Sequence, residues 1–243
     1  MARQANTTLT GTRGSRTYYK MNGEYFVRLK SSGGKQTQRT KARQEDFAIA
    51  ASLSKKIRLL LYAAIPDPKQ KAMQNRLTQA LLQWQFSRAV QPNDDVITQL
   101  ENFQFIKEAP LTTIFTVPVA ISKTKQDAIE MIIPSFKPKR SIKAPPHTKQ
   151  VHINIAAGRC SITQQRPLER IYKQLMVTYN NQLNKQQIIS LPFTSFQPSV
   201  TVIAISLTYW VQQPNNPGLL RVKQNTWSPA AIIYAVKNES APA

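Results

Sequence analysis

The segment VTVIAISLTYWV, residues 200–211, decides how this chain is read. It is the longest greasy stretch, rich in the β-branched and aromatic residues that favour strands. Two threonines and a serine interrupt it. It falls short of the roughly 18 uninterrupted apolar residues that a membrane helix needs. It therefore reads as a strand, Val200–Val211. Similar signals recur at Leu111–Ile121, Ala128–Ile133, Val151–Ile155, Ile171–Tyr179, Gln187–Leu191 and Ala230–Val236. Proline, asparagine and charged residues separate them, as turns require. Short strands at this spacing predict an antiparallel sandwich or barrel. Pro118 demotes the first of them to an edge or bulged strand. Pro134–Gln150, with Lys137, Lys139, Arg140 and Lys143 among its prolines, reads as a basic loop.

Upstream the period changes to helical. Phe47, Ala50, Ala51, Leu53, Ile57, Leu60, Leu61 and Ala64 form one stripe of a helix over about 44–64. Pro66-Asp67-Pro68 ends it. Met73, Leu77, Ala80, Leu81 and Trp84 form the stripe of a second helix over about 69–89. The short proline turn between them predicts an antiparallel pair.

The first 43 residues differ again. Asn22-Gly23, between the β-prone runs 17–21 and 24–30, is a strong hairpin signal, because both turn residues must take φ > 0. Tyr19 and Met21 are expected to share a face with Tyr25, Val27 and Leu29. Ser31–Arg43, with Gly33-Gly34, reads as a flexible link. A lone hairpin is marginal in water, so this one is expected to dock on something. The fold class is thus α+β: a basic arm with a β-hairpin (1–43), an antiparallel helix pair (44–92) and an antiparallel, sandwich-like β region (93–243).

Charge points to the partner. Over 243 residues the net charge is +21, from 33 Lys and Arg against 12 Asp and Glu. The arm alone holds ten basic side chains and one acid, Glu24, a net of +9. Such an excess suits a polyanion. The nucleic-acid contacts expected of the arm are Arg13, Arg16, Lys20, Arg28, Lys30, Lys35, Arg39, Lys41 and Arg43. Tyr18 and Tyr19 would stack on bases, and Lys137, Lys139, Arg140 and Lys143 would form a second patch.

Catalytic and cofactor signatures do not assemble. The chain lacks G-x-S-x-G and H-E-x-x-H. His147 and His152 read as two surface histidines without nearby metal partners. Asp94-Asp95, after Pro92-Asn93, reads as a helix cap or turn. Cys160 is the only cysteine. It permits no intramolecular disulfide and reads as a half-buried structural thiol at a strand end. Gly33-Gly34-Lys35 lacks the glycine spacing of a phosphate loop, and Gly11-Thr12-Arg13-Gly14 lacks the flanking helices of a KH loop. In Gly23-Glu24-Tyr25-Phe26, Glu24 occupies the base-stacking position of an RNA-recognition strand. No catalytic residue, metal, cofactor or small-molecule ligand is therefore expected. The lone cysteine and the polar N-terminus predict a cytoplasmic protein without a membrane span.

The chain carries Gly11-x-x-Gly14, Tyr18-Tyr19-Lys20, Gly23, Val27-Arg28-x-Lys30, Arg43-x-x-x-Phe47, Ala50-Ala51-x-Leu53-Ser54-x-x-Ile57-Arg58, Asn75-Arg76-Leu77 and Leu100-x-x-Phe103-x-Phe105-x-x-x-Ala109-Pro110-Leu111. Together these motifs resemble a family of Bacteroidota proteins with no established activity. The family usually carries glycine where this chain has Ala48. The resemblance implies the same three-section layout and a bacterial origin, and it brings no site residues with it.

The expected function is non-enzymatic, low-specificity nucleic-acid binding through the arm. The alternative is a self-assembling structural protein, a homo-oligomer whose arm docks on neighbouring subunits.

Overall fold

The computed structural model describes residues 3–5, 8–30, 37–88, 97–124, 128–162, 169–193, 198–213 and 216–238. The fold is α+β. The chain forms two compact units, Met1–Gln44 and Glu45–Ala243, and from Glu45 onward the helix pair belongs with the β region in the second. The Gly33-Gly34 link, Lys35 and Asp94-Asp95 lie outside the described residues.

In the first unit, β1 (Arg3–Ala5), β2 (Thr8–Arg13), β3 (Arg16–Met21) and β4 (Glu24–Leu29) form one antiparallel sheet in chain order. The β3–β4 turn is the expected one. Asn22 and Gly23 sit at φ 53° and 91°, the left-handed pair of a tight hairpin. β1 and β2 go beyond the expected hairpin, because their Thr-rich sequence carries no apolar alternation. Helix α1 (Gln38–Leu60) starts inside the stretch read as a link. Thr37 caps it: its Oγ1 accepts from the Thr40 N–H at 3.2 Å.

The second unit is layered around one large sheet. Strands β7 (Thr148–Ser161) and β10 (Ser199–Gln213) run side by side through its centre. β8 (Glu169–Thr178) flanks β7. On its other side β10 pairs with β12 (Ala230–Asn238) along one half and β11 (Asn216–Arg221) along the other. A smaller sheet of β5 (Ala120–Lys123), β6 (Ile129–Ile133) and β9 (Gln187–Leu191) has the order β5-β6-β9. Both sheets are antiparallel throughout.

Alternation along β7 and β10 splits the interior into two cores. Val151, Ile153, Ile155, Ile203, Ile205 and Leu207 pack with Ile129, Met131 and Leu191 of the small sheet, which makes the sandwich. Ala156, Cys160, Val200, Val202 and Ala204 join Leu53, Ile57 and Leu60 of α1 and Leu61 just after it. Met73, Leu77, Leu81 and Trp84 of α2 (Lys71–Arg88) complete that second core. Each fully buried Leu or Ile stabilises the fold by roughly 1.5–3 kcal/mol. Phe47 departs from its expected stripe and is exposed.

The expected strand Leu111–Ile121 is a correction. Its first part is one helical turn, α3 (Leu111–Ile114), following Pro110. Gln104 Oε1 accepts from the Leu111 N–H at 2.8 Å and so ties off the start of the turn. Pro118 cannot donate to a ladder, and the strand begins only at Ala120, on the edge of the small sheet. The loop at 134–150 also contains a turn, α4 (Pro138–Ser141).

Cys160 is fully rather than half buried, and burial pushes its thiol up to about 11 from 9.0. It should not label with a thiol reagent at pH 8 until the protein unfolds. The raised value also makes the neutral thiol part of the native state. The stability it carries is complete below pH 9 and is lost as pH rises through 11. Replacing Cys160 by alanine should flatten that alkaline limb in denaturant titrations; an unchanged limb would exclude the thiol as its cause.

Candidate nucleic-acid interface

The arm sheet sorts its side chains by cross-strand register. Arg13 faces Arg16, which faces Leu29; Tyr18 faces Val27, and Lys20 faces Tyr25. Opposite residues point to the same side of a sheet. One face therefore carries Arg13, Arg16, Tyr18, Lys20, Tyr25, Val27 and Leu29. The other carries Thr17, Tyr19, Met21, Glu24, Phe26 and Arg28. This corrects the expected sharing of a face by Tyr19 and Met21 with Tyr25, Val27 and Leu29. A two-residue turn pairs Met21 with Glu24, so odd positions of β3 meet even positions of β4.

The consequence is electrostatic. The single acid of the arm, Glu24, lies on the face opposite Arg13, Arg16 and Lys20. Along β3, Arg16, Tyr18 and Lys20 follow one another at about 6.8 Å, a cation–ring–cation row. The Lys20 ammonium stands 5.1 Å from the centre of the Tyr25 ring. On the other face Tyr19 stacks on Phe26 at 5.7 Å, and the Arg28 guanidinium lies 5.6 Å from Tyr19. Tyr25, Val27 and Leu29 are 48, 56 and 74 % exposed, so neither their rings nor their methyls are absorbed by a core.

Lys30, Arg39, Lys41 and Arg43 lie outside the four strands. Lys30 follows β4 and is exposed; its backbone N–H donates to the Ser15 carbonyl. Lys41 and Arg43 are exposed on the first turns of α1. Arg39 is on the same helix, with its side chain outside the described residues.

The second unit holds the other patch in a fixed loop. Ile142, Phe136 and Pro138 are buried beneath it. The Tyr209 and Tyr179 hydroxyls donate to the Lys143 and Ile142 carbonyls at 2.9 and 3.0 Å. The Lys139 N–H donates to the Asn180 carbonyl at 3.1 Å. Burial raises the pKa of both tyrosines, so they remain donors. Lys137, Lys139, Arg140 and Lys143 all project from this loop exposed, and residues 131–168 contain no Asp or Glu at all.

The two histidines separate. His147 is exposed in a turn at φ 61°. His152 is not the surface residue expected. It is half-buried on β7, where its Nδ1 accepts from the Trp210 indole at 3.3 Å. Among the described residues, no helix is long and apolar enough to cross a membrane. No family model matches the chain, and no curated protein or solved structure matches it.

Proposed function

We propose that this protein binds nucleic acid with low sequence specificity through the arm sheet. The observation that carries the reading is the acid-free face on which Arg13, Arg16 and Lys20 alternate with Tyr18 and Tyr25. Cations at that spacing neutralise phosphates and release their counterions, while exposed rings stack on unpaired bases. The geometry suits single strands better than duplex, because rings can stack only on bases that are not already paired. No recognition helix is invoked, so the contacts are to backbone and base faces rather than base edges. The fixed loop bearing Lys137, Lys139, Arg140 and Lys143 adds a second, independent phosphate-binding surface.

Titration of a fluorescent single-stranded oligonucleotide should show binding at about 50 mM salt. Affinity should fall linearly in log–log form as salt rises, with a slope of about −0.7 per neutralised phosphate. No binding at low ionic strength would end this reading.

A second reading rests on the edge of the same sheet. Among the described residues β4 pairs with β3 alone, and its exposed Val27 and Leu29 make that edge partly apolar. Edges of that kind accept a strand from another copy. Light scattering on the full chain and on a chain lacking residues 1–43 separates the two. Only self-assembly predicts a particle larger than a monomer that disappears with the arm in the absence of nucleic acid.

A further inference from the structure

The face of the large sheet that carries α1 and α2 is apolar only as far as the helices reach. Beyond Ala156 and Ala204 it becomes polar. Register places Asn154 beside Ser206 and Gln174, His152 beside Thr208, and Trp210 beside Arg221, all on that one face. Together they line a cavity of about 150 Å³, closed on one side by Ala64 and Pro66 just after α1. From this arrangement we propose that the cavity binds a small phosphate-type oxyanion, held by the Arg221 guanidinium and the Thr208 hydroxyl.

The hydrogen bonds around Asn154 fix what the cavity offers. Asn154 is buried, and its Oδ1 accepts from the Tyr172 hydroxyl at 2.9 Å and from Gln174 Nε2 at 2.7 Å. Its amide nitrogen donates to Thr208 Oγ1 at 3.0 Å. That bond occupies a lone pair of the threonine and leaves its proton to donate elsewhere. The Trp210–His152 bond acts in the same way. An Nδ1 that accepts must be unprotonated, so the neutral ring carries its proton on Nε2. Nε2 is buried and has no partner within the protein among the described residues.

The field has one sign. Among the described residues no Asp or Glu lines the cavity, and Arg221 is the only Lys or Arg in its wall. Burial first, and the positive charge of Arg221 second, hold the His152 pKa below its ordinary value. A cation is therefore repelled, and an anion finds a guanidinium and a hydroxyl donor. Size agrees. A space near 150 Å³ has room for a phosphate group.

Inorganic phosphate is the probe. It should shift the imidazole resonances of His152 and the indole signal of Trp210 saturably, and leave His147 in place. Arg221→Gln should weaken binding at least tenfold and Thr208→Val several-fold, as expected for losing a charged and a neutral hydrogen bond. Arg221 is exposed, so its variant should fold. A linear shift reproduced by sodium chloride at equal ionic strength, or full binding by Arg221→Gln, would overturn the proposal. A variant with a neutralised arm should titrate identically, which separates this site from the arm. Competition by a 5′-phosphorylated dinucleotide, but not by its 5′-hydroxyl form, would identify the phosphate as a chain end. Competition by neither would assign the site to free phosphate.

Discussion

Replacing Arg13, Arg16 and Lys20 together by glutamine should lower single-strand affinity by roughly 500-fold at about 50 mM salt. The figure follows from counterion release. Each phosphate left without its cation takes about 0.7 off the log–log salt slope, so three of them change it by about 2. The release term vanishes only near about 1 M salt, so the deficit should shrink steadily as salt is raised. Folding should not be at risk, because all three side chains are exposed. Neutralising Lys137, Lys139, Arg140 and Lys143 in the same way tests the second patch. If both surfaces act independently, the two sets of effects add. Tyr18→Ala should behave differently. It removes a stacking platform worth about 1–3 kcal/mol per base, so affinity falls while the salt slope stays. An unchanged slope in the Arg13/Arg16/Lys20 variant would show that the arm does not touch phosphate.

How much of this is legible in the sequence depends on the range of the interaction. Asn22-Gly23 specifies its turn, and the stripes Leu53–Ile57–Leu60 and Met73–Leu77–Leu81 specify two helices, because each signal lies within a few residues. The faces of the arm differ from expectation by one residue of parity. That parity depends on the turn closing between Met21 and Glu24 rather than one position away. β11 is hidden because Pro217 and Gly218 disfavour a strand; proline is tolerated there since β11 lies at the sheet edge. The polar cavity is invisible for a deeper reason. Asn154, His152 and Thr208 look like interruptions in greasy strands, and only the pairing of β7 with β10 makes them neighbours. The local sequence around His152 says nothing of Trp210, and so points to the surface.

Ala156-Ala157-Gly158 misleads in another way, and it supports the strongest expectation for stability. Small residues with little strand propensity cut the expected strand off at Ile155, yet β7 continues to Ser161. Their smallness serves the helix layer. A Cβ placed on Gly158 would lie 2.7 Å from both Cβ and Cδ2 of Leu60. The backbone of α1 fixes Leu60 Cβ, so a rotamer change cannot clear it. Gly158→Ala must push α1 off the sheet and disturb Ile57, Leu61 and the Ala156–Val202–Ala204 surface they cover. Overpacking of this kind costs about 1–3 kcal/mol. In a chain of this length that lowers Tm by roughly 2–12 °C in a thermal scan. Gly158→Val should be worse, because its γ carbons also meet Leu60. Adding Leu60→Ala removes the Cδ2 and Cγ clashes but keeps the one at Cβ. The double variant Gly158→Ala/Leu60→Ala should therefore be more stable than the sum of its single effects, without returning to the parent. Strict additivity would mean that α1 and β7 are not in the close contact on which the layering depends.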